Sequence, residues 1–183
     1  FSSSALSFTD GPTLTSTANV ASTALLDLDG DGDLDIVASE RFVAQLTVYT
    51  NTGAGSFSAP SVVSSPQTGP TRLIPADFDG DGDEDLLVGY ENGSAMSVYL
   101  NDGSGTLTSP ISLPLPSGSG NPFPSAGDID GDGDLDVVVV STGASGEAHV
   151  FRNNGSASFA ATTLGFSFNA PVQTSLGDLD GDG

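Results

Sequence analysis

The apolar positions of this chain fall into short runs separated by polar, glycine- and proline-rich stretches, and no segment shows the period of an amphipathic helix. "STALL" at 22–26 and "LDIVAS" at 34–39 read as strands, rich in residues that suit a pleated surface. A second pattern recurs as "LTVYTNTGAGSFSAP" at 46–60, "MSVYLNDGSGTLTSP" at 96–110 and "AHVFRNNGSASFAAT" at 148–162. Each has a β-branched and aromatic strand, an Asn- and Gly-rich turn, and a second strand expected to open at Phe57, Leu107 or Phe159. The proline-rich stretch 109–125 falls where an outer strand and the following turn are due, and proline is tolerated on such an edge.

Between the first two strands of each unit lies an acidic loop: "DLDGDGDLD" at 27–35, "DFDGDGDED" at 77–85 and "DIDGDGDLD" at 128–136, with a fourth beginning as "DLDGDG" at 178–183. The starts are about fifty residues apart, so the loop belongs to a repeating unit of four short antiparallel strands. The expected fold is all-β: tandem four-stranded antiparallel blades of about fifty residues, β-propeller-like and partial or open, with a β-solenoid-like array as the alternative. The units divide as an outer strand of a preceding blade at 1–20, repeats at 21–70, 71–121 and 122–171, and the start of a fourth at 172–183. Three complete units are fewer than the roughly four to eight blades of a closed propeller. The expectation is a segment of a larger array, or a chain that assembles with copies of itself, a neighbour completing the half-loop at Asp178, Asp180 and Asp182.

Charge sharpens the picture. The 183 residues carry a formal net charge of −21, with three Lys or Arg against 24 Asp or Glu. Nucleic acid, which needs a basic footprint, is excluded as a partner. No apolar run is long enough for a membrane-spanning helix. Only Asp10 and Asp102 of the aspartates lie outside the four loops, so the acidity is concentrated at defined points and divalent cations are the expected partners. Cysteine is absent, which excludes disulfides and thiolate metal sites.

In the first loop Asp27, Asp29 and Asp31 alternate, with Gly30 and Gly32 allowing the backbone to curl so that the carboxylates converge. Asp33 is expected to offer its main-chain carbonyl and Asp35 to close the site, directly or through water, as in the loop of an EF-hand. Ala38 stands where an EF-hand has its last glutamate, and a strand follows rather than a helix. The equivalent ligands are Asp77, Asp79, Asp81, Asp83 and Asp85, then Asp128, Asp130, Asp132, Asp134 and Asp136. An all-oxygen set on a flexible loop favours Ca2+, giving three complete sites and one partial one. With a dissociation constant on the order of 10 μM in ~1 mM calcium, each site would contribute ~2.7 kcal/mol. That magnitude points to a structural rather than a catalytic ion.

No catalytic constellation accompanies these loops. The carboxylate pairs lie inside them, no nucleophile-elbow motif occurs, and the single histidine, His149, takes the place of Thr47 and Ser97 in the other units. It is expected on a strand surface, and the chain is expected not to be an enzyme. Tyr49 and Tyr99 share a repeat position with Phe151, which points to a role in blade packing.

The motif "DLDGDGDLDIVAS" followed by "VYTNTGAGSFSAP" resembles the FG-GAP/VCBS repeat, which forms calcium-binding blades of integrin alpha-subunit propellers and of secreted bacterial proteins. The Phe-Gly and Gly-Ala-Pro elements of that family survive here only as "SFSAP". The resemblance implies an extracellular or cell-surface location, calcium-dependent stability, and adhesion or recognition of a protein or glycan. A non-catalytic module of a larger secreted enzyme is a further expectation of the same kind.

Overall fold

A computed structural model describes residues 11, 13–16, 19–115, 120–142, 147–167 and 173–177. Among them are twelve strands and no helix. The first blade comprises β1 (Val20–Leu26), β2 (Asp35–Glu40), β3 (Gln45–Tyr49) and β4 (Ser61–Ser64). The second comprises β5 (Pro70–Ala76), β6 (Asp85–Tyr90), β7 (Ala95–Tyr99) and β8 (Ile111–Pro114). The third comprises β9 (Pro122–Gly127), β10 (Asp136–Ser141), β11 (Glu147–Arg152) and β12 (Ala160–Ser167). Each blade is a separate antiparallel sheet whose strands lie in chain order, so the fold is all-β with tandem four-stranded blades that do not close. The solenoid alternative is overturned, because the strand ladders are confined to single units and neighbouring units meet face to face.

The first strands lie side by side, β1 next to β5 and β5 next to β9, and form the inner edge of the array. Two apolar layers join the blades. Leu26, Val37, Leu46 and Val48 of the first blade pack on Leu86, Val88, Tyr90 and Tyr99 of the second. Phe78, Leu87, Met96 and Val98 of the second pack on Val137, Val139 and Phe151 of the third. Successive side chains of β6 thus enter opposite layers, which is why that strand reads as an uninterrupted apolar run instead of an alternation.

Tyr99 links the first two blades further, its hydroxyl donating to the Ser64 carbonyl at 3.2 Å. Tyr49 makes the same bond to Thr15 at 2.8 Å, so residues 13–16 lie against the first blade as β4 lies against the second. At the other end Thr174 donates to the Phe123 carbonyl at 2.7 Å and accepts from Ser125, setting 173–177 beside β9. Arg41 also bridges blades, through paired bonds to Glu91 at 2.6 and 2.5 Å. Those bonds hold the Glu91 carboxyl below its ordinary range.

Two expectations need correction. The fourth strands open at Ser61, Ile111 and Ala160, four residues after Phe57 and Leu107 and directly after Phe159. The chain has nevertheless already doubled back by Phe57, which pairs with Asn51 as an isolated bridge. His149 is buried, not a surface residue, and its Nδ1 lies 3.2 Å from Thr163 Oγ1. The strand is covered on both faces, so the polar character of Thr47 and Ser97 gave no sign of exposure; both are buried as well. Burial pushes the His149 pKa down.

Stability should depend on the layers between blades. Leu86→Ala, at a fully buried position of the first layer, is expected to cost about 2–5 kcal/mol in urea or thermal unfolding.

Candidate metal centre

Each acidic loop turns the chain from the first strand of a blade into the second. Asp27 organises the turn, accepting from the main-chain N–H of Gly30 and of Gly32, each at 2.8 Å. Both glycines have left-handed φ values, 72° and 90°, which a side chain would strain. The pattern repeats at Asp77 with Gly80 and Gly82, and at Asp128 with Gly131 and Gly133.

The ninth-position aspartates anchor the loops to the sheets. Asp35 is buried and accepts from Leu28 N–H at 3.0 Å with one oxygen and Asn51 N–H at 2.7 Å with the other. Asp85 holds Phe78 and Asn101 in the same way, and Asp136 holds Ile129 and Asn153. The carboxylate thereby joins the start of its loop to the end of the third strand.

Three carboxylates converge in every loop: Asp27, Asp29 and Asp35; Asp77, Asp79 and Asp85; Asp128, Asp130 and Asp136. One oxygen from each member lies within 4.8 Å of the others. That spacing suits an ion with ligand distances of about 2.3–2.6 Å. Asp31, Asp81 and Asp132 fall outside these groups, and one oxygen of each caps the N–H of Asp33, Asp83 or Asp134. The carboxylates of Asp33, Asp83 and Asp134 are likewise outside. Asp178, Asp180 and Asp182 lie outside the described residues.

Two oxygens test the fit of a cation directly. Asp29 Oδ1 and Asp79 Oδ1 are buried and have no hydrogen-bond partner. An orphaned buried carboxylate oxygen is costly unless a cation takes its lone pairs, so the donor set fits a hard divalent ion. Burial, with the neighbouring Asp31, Asp35 and Asp27 charges, pushes Asp29 up in pKa; burial and Asp81 do the same to Asp79. Asp85 is pushed up to about 6 by burial, against the opposing pull of its two N–H donors. In each loop a cation would relieve the crowding.

The sequence did not reveal the part played by the turn after each third strand. Asn101 Nδ2 reaches the Asp27 carbonyl at 3.4 Å, and Gly105 N–H donates to the Leu28 carbonyl at 2.7 Å. One blade further on, Asn153 Nδ2 and Ala157 N–H both donate to the Phe78 carbonyl, at 2.6 and 3.1 Å. Each turn therefore lies on the acidic loop of the preceding blade. The recurring Asn was the available signal, but it reads equally well as an ordinary turn residue.

The third loop differs. Asp128 and Asp130 are exposed where their counterparts are half-buried, and Arg152 Nε donates to Asp130 Oδ2 at 3.1 Å. The guanidinium supplies part of the charge compensation an ion would give. Calcium titration is expected to resolve the third loop as the weakest of the three, and Arg152→Gln should strengthen it several-fold. Titration of the calcium-free chain should show a second effect. Asp85 keeps its proton to higher pH when folded than when unfolded, so stability should fall as pH rises from about 4 to about 6. Saturating calcium should abolish that fall, as read by urea unfolding at both pH values.

Comparisons place this arrangement among known proteins. A lectin of Agrocybe aegerita, solved for its recognition of non-reducing terminal N-acetylglucosamine, superimposes with a TM-score of 0.56 at 24% identity, over 78% of this chain and 37% of the lectin. The Tc holotoxin pore of Photorhabdus luminescens superimposes with a TM-score of 0.51 at 21% identity, over 79% of this chain and 7% of the toxin chain. At these identities the likeness is one of fold, and the chain spans well under two thirds of either protein. Comparison with curated proteins yields no match. The FG-GAP-like repeat model matches residues 27–88, 77–139 and 128–183, each match opening on the first aspartate of an acidic loop. The recurrent loop, the four-stranded blades and these three matches make the chain a member of the FG-GAP-like repeat family.

Proposed function

We propose that the chain is a calcium-binding, calcium-stabilised repeat module of an extracellular protein, with a structural or adhesive role and no catalytic activity of its own. The observation that carries this reading is the recurrence of one three-carboxylate group in all three described loops, two of them holding an orphaned buried oxygen. When bound, calcium supplies charge compensation. Asp27, Asp29 and Asp35 and their counterparts would hold it, with the buried ninth aspartate tying the site to its sheet. Because the first and second loops also carry the turn of the next blade, ion binding there would stiffen the contact between blades as well as the loop. Outside the cell, where calcium is millimolar, such sites would be occupied even at modest affinity. The unclosed array supports association with further blades, from the same protein or from copies of this chain.

A second reading, recognition of a glycan or protein, is supported by the fold shared with the Agrocybe aegerita lectin. The two are compatible, since a rigid array can present a binding surface.

Calcium and chelator should move the thermal midpoint in opposite directions. At calcium a hundredfold above the dissociation constant, each occupied site should add about 2.7 kcal/mol to stability. Scanning calorimetry with parallel light scattering reads both stability and particle mass. A midpoint indifferent to chelation would sink the calcium reading, and a particle mass indifferent to calcium would sink calcium-driven self-association.

A further inference from the structure

At the end of the array opposite the acidic loops, the starts of the three inner strands line a groove of about 690 Å3. Asn19 to Ala21, Thr71 and Arg72, and Asn121 to Phe123 form its floor, with Arg41, Phe42 and Glu91 at the ends of the second strands. Its volume falls in the range of small-molecule sites, about 300–1,000 Å3.

Charge singles this groove out. The chain has only three arginines in a net charge of −21, and two of them line it. The third, Arg152, is paired with Asp130 at the far end. Arg41 is occupied by Glu91, the only acidic residue in the lining. Arg72 is not so occupied. Its guanidinium lies 4.7 Å from the centre of the Phe123 ring and gives one hydrogen bond, to the Thr71 carbonyl at 2.9 Å. Among the described residues no carboxylate forms a direct ion pair with it, although the Glu91 carboxylate attracts it at longer range. A guanidinium has five donors in a planar fork, so most of its capacity is unspent, and Arg72 lines both this groove and the smaller cavity beside it.

We propose that this groove binds a carboxylate-bearing sugar, with the Arg72 fork taking the carboxylate and the exposed Phe42 ring taking the apolar face of the pyranose. Phe42 is 68% exposed, and although the Arg41 guanidinium lies 5.7 Å from its ring centre, most of its aromatic surface stays open. Asn121 accepts the Asn92 N–H at 2.8 Å through its side-chain oxygen, which orients its amide nitrogen as a donor for sugar hydroxyls. The remaining charge of the chain selects against polyanions: a nucleic acid or densely sulfated chain would be repelled by the acidic loops, while a ligand with one carboxylate incurs little of that repulsion. This inference deepens the recognition reading and is independent of calcium binding by the loops.

The test is calorimetric titration of the full chain in millimolar calcium with a glucuronic-acid-terminated disaccharide, its neutral glucose counterpart, and a short peptide with a free C-terminal carboxylate. The acidic disaccharide should bind saturably, and the neutral one about tenfold or more weaker. Arg72→Gln should lose at least about tenfold and Phe42→Ala several-fold, with calcium stoichiometry and thermal midpoint unchanged in both. Equal binding of the neutral sugar, or tighter binding of the peptide, would overturn the acidic-sugar assignment while leaving recognition at the groove standing. Absence of binding by all three probes would overturn both, as would full affinity in Arg72→Gln.

Discussion

Five carboxylates within nine residues can share one loop only if something other than solvent organises them, and the organising contact here is the buried ninth aspartate. With both oxygens taken by main-chain N–H groups, Asp35 holds the first residues of the loop against the exit of the third strand. Asp85 and Asp136 do so in turn. This one contact sets the depth of the loop, brings two further carboxylates into reach, and positions the Asn turn that covers the preceding loop.

Metal site and blade interface are therefore parts of one structure. The carbonyls of Asp27, Leu28 and Phe78 accept hydrogen bonds from the next blade, while the carboxylates of the same loops gather for a cation. The two apolar layers supply the nondirectional attraction between blades. The loop contacts supply the register. In the third loop, on which no described turn lies, Asp128 and Asp130 are exposed, Asp136 is buried, and Arg152 stands beside Asp130.

The two ends of the array have opposite electrostatic characters. At one lie the aspartate loops, at the other two of the three arginines with Glu91 between them. In propeller-like folds the loops at each end vary with little effect on the strands between them, and function belongs to such loops rather than to the fold.

The sequence by itself determined the repeat, the all-β class, the four strands of each unit and the aspartates of every loop. These are local properties: a turn needing Gly30 and Gly32, or a β-branched run such as 137–140, imposes its geometry on its own neighbourhood. The tertiary structure alone decided which carboxylates meet. Asp31 looks equivalent to Asp29 in the motif, yet its oxygen is turned to the Asp33 N–H, while Asp35, farther along, swings back beside Asp27. It also decided the burial of His149 and the role of Asn101 and Asn153, because those depend on a neighbouring blade about fifty residues away. The groove around Arg72 belongs to the same class. Its walls come from three units, and nothing in any one of them signals that their first strands begin side by side.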